Sequence, residues 1–480
     1  MADKINLPIS EPPGPDGSER NYSESTYAYS EPQLALEEIS ALSETLPQVS
    51  KRGALATRSA LKLRPHIGRA QGIQSYATTD AFVAEALPER PAHILRPRVI
   101  NATAQWFLHN FRGTVLYAVK ANPTPYVIKQ LAASGIRHFD VASLAEVELV
   151  ASLAPKARMH FMHPVKSREA IRKSYFNYSV RDFVIDSPAE LFKLLEETRG
   201  AKDLGIIIRL AVTGGHAFHS LAGKFGASTI LAAELLSQAR KVAVRCGIAF
   251  HVGQQTMDPV AYADALKQVG EVIALSKVNP DIVDVGGGFP VSFVGLTPPS
   301  LQSYMDAIHQ AVEELKLPKK TKIWCEPGRA LVQEAGSLVV KVELRKENRL
   351  YINDGLYGGL FDAGISRLTY PMRLIRPVGP SPSVKMAKFS LLGPTCDSID
   401  ALKVPVSLPA DVEEGDWIEI GQTGGYSAAL QSSFNGFGAQ ALPVEVHDAP
   451  QLATPGFWQD EQSHAWDETL SKPAPRLVGF

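Results

Sequence analysis

Between about residue 98 and residue 330, short apolar runs alternate with longer amphipathic segments, and this alternation restricts the chain to a sheet whose strands are joined by helices. Strands are predicted at Thr114–Val119, His138–Val141, His160–Met162, Asp182–Ile185, Gly205–Leu210, Ile248–Val252, Ile282–Val285 and Lys322–Trp324. Helices are predicted between them at Thr124–Ser134, Leu144–Ala151, Ser187–Thr198, Ala227–Cys246, Pro259–Val278 and Ser300–Glu314. Eight strands in roughly the ~250 residues that a (β/α)8 unit needs predict an α/β chain built on a closed TIM-type barrel. A doubly wound open sheet is the rival, but it is harder to fill with this many strands while every connection stays short. After residue 330 the helical period fades, and Ala335–Leu344, Arg349–Asn353, Ser383–Leu392, Asp416–Ile420 and Leu442–Val446 read as strands bounded by Gly, Pro and Asp. The expected organisation is an N-terminal extension over 1–80, a barrel over 97–330, and a mainly β domain over 331–470 that includes a short segment near 88–96.

A length of 480 residues suits two domains and a tail. With 49 basic and 50 acidic residues the net charge is −1, so bulk charge recruits neither nucleic acid nor an anionic membrane. Cys246, Cys325 and Cys396 are odd in number and far apart, which argues for a reducing compartment and against both a disulfide framework and a structural zinc site. The first residues lack an apolar signal region, and no run is long enough to span a bilayer; a soluble cytoplasmic protein is expected. The first thirty residues are rich in Pro, Ser and acids and read as loosely attached, followed by a helical pattern in Gln33–Leu46 and a basic stretch from Lys51 to Arg69.

Chemistry gathers where barrel strands end. Lys120 closes the apolar segment Gly113–Val119 and is followed by the turn dipeptide Asn122-Pro123. A lysine buried there invites a salt-bridge reading or a Schiff-base reading, the second because desolvation lowers the pKa of an amine and frees the nucleophile. Phe139-Asp-Val-Ala-Ser143, Phe250-His-Val-Gly253, Asp284-Val-Gly-Gly-Gly-Phe-Pro290 and Cys325-Glu-Pro-Gly-Arg329 lie at other strand ends, where βα loops build active sites. Three glycines after a strand let the backbone approach a ligand and present amide N–H groups to an anion. Arg329 adds a fork of donors that matches phosphate, so a phosphorylated cofactor is indicated. The motifs of P-loop nucleotide hydrolysis, Rossmann redox chemistry, zinc proteolysis and serine hydrolysis are absent from the sequence.

Taken in order, YAVKANP, FDVAS with Glu146, KFG at Lys224–Gly226, FHVG, DVGGGFP, EPGR, NDGLYGG at Asn353–Gly359, GPTCDSID at Gly393–Asp400, and GGY followed by FNGF at Phe434–Phe437 resemble the alanine-racemase-fold pyridoxal-phosphate decarboxylases of basic amino acids, the ornithine and lysine decarboxylase group. The resemblance implies pyridoxal 5'-phosphate as cofactor, with Lys120 as the Schiff-base lysine, Glu326 paired with the pyridine nitrogen, and His251 stacked on the ring. It places the phosphate near Gln254, Gly286, Gly287, Gly288, Gly328, Arg329 and Tyr426, and it sets Asp140, Glu146 and Arg209 around lysine and ring. Cys396 matches the thiol that protonates the substrate carbon after CO2 leaves, acting across a dimer interface, so a homodimer with shared sites is implied. Tyr357 and Asp397 resemble residues on the substrate side. L-ornithine is the first candidate substrate and L-lysine the next. Diaminopimelate decarboxylation, an amino-acid racemase on the same barrel, and a non-catalytic regulatory homologue are the alternatives.

Two positions depart from the pattern. Gln254 stands where the family usually has a serine that donates to phosphate. Ser366 stands where diamine-forming members carry an acid for the distal ammonium, and an unpaired buried ammonium is costly, so Asp362 or Asp400 is expected to replace it. If Arg367 points inward instead, a substrate with a distal carboxylate is favoured.

Overall fold

A computed structural model describes residues 73–212, 217–219, 223–366, 368–437 and 441–455. The helical pattern at Gln33–Leu46, the basic stretch at Lys51–Arg69 and Arg367 lie outside the described residues.

Eight parallel strands close into a barrel in sequence order: Thr114–Ala118, His138–Val141, Arg158–Phe161, Asp182–Ile185, Gly205–Arg209, Arg245–Ala249, Ile282–Asp284 and Lys322–Cys325. The seam is made by the last strand pairing with the first, Trp324 against Thr114 and Cys325 against Val115. Alternation along each strand sends one residue inward and its neighbours toward the helices. Leu116, Met162, Val184, Ile207, Ala249, Ile282 and Trp324 form one buried cluster, whereas Tyr117, Phe139, Phe161, Phe183, Ile206 and Ile208 join the large cluster packed with the helices. Helix starts follow local chemistry: Ser143, Ser167, Ser187 and Ser228 each accept a backbone N–H of the first turn, and Pro97, Pro125 and Pro188 open helices where no donor is lost.

The open-sheet rival is therefore excluded. One boundary shifts: the predicted helix Ala227–Cys246 covers only Thr229–Val242, and Arg245–Ala249 is already barrel strand. Arg168–Tyr178 is a helix that the pattern did not suggest, since only Ala170, Ile171 and Ser174 of it are buried.

The second domain is one branched sheet, ordered Gln74–Tyr76, Leu442–Val446, Ala92–Leu95, Gly336–Lys346, Arg349–Ile352, Met386–Leu392, Val406–Pro409, with Met372–Ile375 and Trp417–Ile420 branching from Gly336–Lys346. Ala92–Leu95 thus belongs with strands found hundreds of residues later. Gln74–Tyr76 pairs with Val444–Val446, so the sheet begins inside the stretch 1–80 that was expected to be extension alone. Among the described residues, no helix is long and apolar enough to cross a membrane.

Candidate active site

The turn after Thr114–Ala118 is a single 3-10 turn, Val119–Ala121, which presents Lys120. Asn122 locks it: its carbonyl accepts the Tyr117 hydroxyl at 3.0 Å, its side-chain amide donates to Gly424 O at 2.7 Å, and its Oδ1 accepts the Thr124 N–H and hydroxyl. The β domain supplies Tyr426, whose N–H donates to Ala121 O at 2.7 Å. Lys120 Nζ lies 3.6 Å from Asp140 Oδ2, and the lysine side chain is 46% exposed while Asp140 is buried. Desolvation pulls the amine's pKa down, as the sequence reading expected, but Asp140, then Tyr426 and Glu326, outweigh it against the opposing Arg209. Without a carbonyl partner the amine is thus held protonated, above its ordinary range, which corrects that expectation.

Around it stand three further acids. Glu146 caps its own helix through the Ala142 N–H at 2.6 Å, and burial, with Asp140 adding, pushes it up to about 7. Glu326, at the end of the last barrel strand, is 3% exposed and raised well above the usual carboxylate range, first by burial, then by Asp284 and Asp140. Asp284 is pushed up to about 7, again first by burial. Crowded carboxyls out of water resist ionising together. Glu326 Oε1 and Asp284 Oδ2 are both buried without a hydrogen-bond partner among the described residues. An unmatched buried carboxylate oxygen is costly and suits a ligand N–H.

His251 accepts the Gly253 N–H on Nδ1 at 3.0 Å, which leaves the proton on Nε2, and burial followed by Arg209 and Lys120 holds the ring neutral, well below its ordinary pKa. The glycine triplet runs between the ends of two neighbouring strands. A Cβ on Gly286 would sit 2.1 Å from Phe250 O, and one on Gly287 2.6 Å from Glu326 O and 3.2 Å from His251 Nε2. Gly286 and Gly288 also need φ values of +69° and +103°. The glycines therefore answer to packing between strand ends as well as to ligand approach. The carbonyls of Gly286, Gly287 and Gly288 are taken by Glu326 N, the Tyr262 hydroxyl and Thr256 N, whereas among the described residues the amides of Gly287 and Gly288 donate to no protein group. Two free amides, an unmatched acid and a reachable amine fit pyridoxal phosphate.

Gly328 caps the short helix Arg329–Val332. Arg329 is buried, with its guanidinium 4.7 Å over the Tyr426 ring. It makes a two-pronged contact with Asp362, at 2.9 and 3.3 Å, and the Tyr370 hydroxyl donates to the same carboxylate at 2.6 Å. Asp362 is thereby committed to Arg329 and does not stand free for a distal ammonium. Asp400, the other expected substitute, is buried and receives Leu356 N, Thr395 N and the Thr395 hydroxyl. Ser366 is itself buried, with its Oγ accepting Leu368 N at 3.4 Å. Gln254 lies half-buried on a short strand paired with Ala217–His219.

A second group is built from Tyr357, Asp397, Cys396, Phe434 and Asn435. Tyr357 donates to Asp397 at 2.5 Å, its ring lies 4.7 Å from Phe434, and the Cys396 thiol and N–H both reach Asn435 Oδ1 at 3.3 Å. Cys396 is exposed. Sequence reasoning quoted Asp284 inside its motif but gave it no role; a lone acid at the foot of a glycine run carries no mark of the carboxyl it faces.

Residues 97–333 match the model of the pyridoxal-binding domain of pyridoxal-dependent decarboxylases. The chain is 33% identical over 354 residues to a lysine/ornithine decarboxylase of Selenomonas ruminantium, covering 72% of this chain and 86% of that protein. It is 30% identical to the ornithine decarboxylase of Rattus norvegicus, over 71% and 77% of the two chains. The solved lysine/ornithine decarboxylase of Vibrio vulnificus complexed with putrescine superposes with a TM-score of 0.66 at 27% identity, covering 77% of this chain and 99% of that one. Barrel, β domain, lysine turn and the matches along both domains agree: the chain belongs to the pyridoxal-dependent decarboxylases of the alanine-racemase fold.

Proposed function

We propose that the protein decarboxylates a basic L-amino acid to a diamine and CO2, L-ornithine first and L-lysine next, as a homodimer with shared active sites. The observation that carries this reading is the pairing of an accessible lysine amine with a buried carboxyl whose Oε1 has no partner, at adjoining strand ends. Bound pyridoxal phosphate supplies an electron sink for the pair left behind by departing CO2. Lys120 Nζ is the group that holds the cofactor covalently, and Asp140 keeps it charged until then. Glu326 Oε1, buried without a partner among the described residues, would accept the cofactor's ring N–H. Gly287 and Gly288 offer their amides to the phosphate, with Gln254, Gly328, Arg329 and Tyr426 at its rim. His251 would pack on the cofactor ring, with Arg209 and Glu146 contributing to the surroundings of ring and lysine.

Cys396 Sγ returns a proton to the substrate carbon, and Tyr357 with Asp397 receives the distal ammonium. Ser366, a neutral hydroxyl, leaves Asp397 as the acid of that subsite. Ile399, Leu430, Phe434 and Phe437 are exposed apolar residues around Cys396, which supports covering of this face by a second copy. The thiol chemistry of Cys396 suits a reducing, cytoplasmic setting.

Borohydride reduction of the cofactor-loaded protein is expected to fix the cofactor on the peptide that contains Lys120; label on another lysine refutes the assignment. Incubation with L-ornithine, L-lysine, L-arginine and diaminopimelate, with CO2 release followed, is expected to rank L-ornithine and L-lysine first. Release confined to diaminopimelate overturns the substrate reading.

A further inference from the structure

Among the described residues, Gln255 and Gln422 are the buried non-glycine residues held at positive φ, +51° and +57°. Such backbone is strained for a residue with a Cβ and persists only where the surroundings over-determine it. The two glutamines come from different domains, and both grip the same dipeptide, which follows the glycine turn by three residues. Gln255 donates its amide to Val291 O and accepts Val291 N at 3.2 Å. Gln422 donates to Ser292 O at 2.8 Å. Thr454, near the C-terminal end of the described chain and 1% exposed, accepts Ser292 N at 2.9 Å and is itself anchored on Glu334. All four main-chain polar groups of Val291 and Ser292 are thus satisfied by side chains of remote elements, where strand or helix partners would ordinarily serve.

From this convergence we propose that Gln255, Gln422 and Thr454 are positioning residues that brace the Gly286–Gly288 turn for the cofactor phosphate, and that the β domain and C-terminal segment thereby set cofactor affinity. The proposal rests on the cofactor reading above. Gly287 and Gly288 can offer two amides to one anion only if the turn keeps its shape, and the segment Phe289–Ser292 is its downstream anchor. Tyr262 and Thr256, bonded to the Gly287 and Gly288 carbonyls, hold the turn itself, and the Tyr304 hydroxyl ties Thr256 O into the same frame.

The test titrates full-length apoprotein with pyridoxal phosphate and, separately, with pyridoxal, which lacks the phosphate, following the visible absorption of the lysine-linked cofactor. Gln255→Gly removes both bonds to Val291 while relieving the backbone strain, and Thr454→Val removes the acceptor of Ser292 N. Each variant is expected to weaken pyridoxal phosphate binding roughly tenfold, the loss of about one to two hydrogen bonds, while pyridoxal binds as to the parent. Amide exchange at Ser292 is expected to quicken in Thr454→Val, a readout that reports the brace in the folded apoprotein. Unchanged phosphate-form affinity in both variants overturns the brace, as does a parallel loss for both ligands. Failure of the parent chain to bind either ligand overturns the cofactor reading and the brace with it.

Discussion

Glu326 shows how much one side chain depends on its surroundings. Burial, then Asp284 and Asp140, raises its pKa well above the usual carboxylate range, a shift that its surroundings create. Glu326→Gln keeps the shape and forfeits the charge that stabilises a protonated ring, and the turnover number is expected to fall by about 10²-fold or more with cofactor still bound. A drop confined to cofactor affinity would count against the role. Asp362→Asn is expected to release Arg329 and to leave substrate KM for the distal amine little changed, because its carboxylate serves the guanidinium; a selective rise in KM for L-lysine or L-ornithine would reverse that view. The placement of Lys120, His251 and Glu326 just beyond the ends of barrel strands was legible in the sequence because each closes an apolar run within a distinctive motif. Gln255, Gln422 and Thr454 were not. Their partners are backbone groups of Val291 and Ser292, far off in the chain, and glutamine or threonine amid loop residues announces no such contact.

At the level of strands and helices, short apolar runs bounded by turn residues located all eight barrel strands, since the inner and outer faces of each are both apolar. What it missed has a physical reason. Arg168–Tyr178 buries a narrow stripe and carries charges elsewhere, so its periodicity is faint. The helix that begins at Thr229 ends at Val242, where Arg240 and Lys241 complement the last turn, but Val242, Ala243 and Val244 prolong the apolar pattern into the following strand. Phe183 is fully buried between barrel and helices, and Phe183→Ala is expected to cost about 3–5 kcal/mol, measurable by urea unfolding. A loss under ~1 kcal/mol would mean that the site collapses around the gap. The sheet of the second domain is the clearest limit of local reading. Gln74–Tyr76 is too short and too exposed to proclaim itself a strand, and pairing with Val444–Val446 alone defines it.

Across the whole molecule, the proposed homodimer with shared active sites draws Cys396, which is exposed in the single chain, from the second copy. Mixing Lys120→Ala with Cys396→Ala subunits is expected to restore activity to about a quarter of the parent, because random pairing makes half of the dimers mixed and each holds one intact site. Zero recovery after verified exchange would rule out sharing. Inside the barrel, His138 bonds His160 at 2.8 Å and His160 bonds Asp182 at 3.0 Å, in a polar chain that ends on Arg245. Burial, then His160, lowers the His138 pKa from 6.5 to about 4, so the unfolded chain takes up the proton first and this residue's contribution to stability is lost as pH falls from 6.5 toward 4. The margin by which the parent exceeds His138→Gln in urea unfolding is therefore expected to shrink across that window; a constant margin would contradict the sign. The barrel's seam carries a further consequence. Lys120 and Glu326 follow the first and last barrel strands, more than two hundred residues apart, and stand where those strands pair. A chain still emerging from the ribosome thus exposes its reactive amine long before the acid that completes the site has been synthesised, and secure capture of the vitamin must await the final turn of the cylinder.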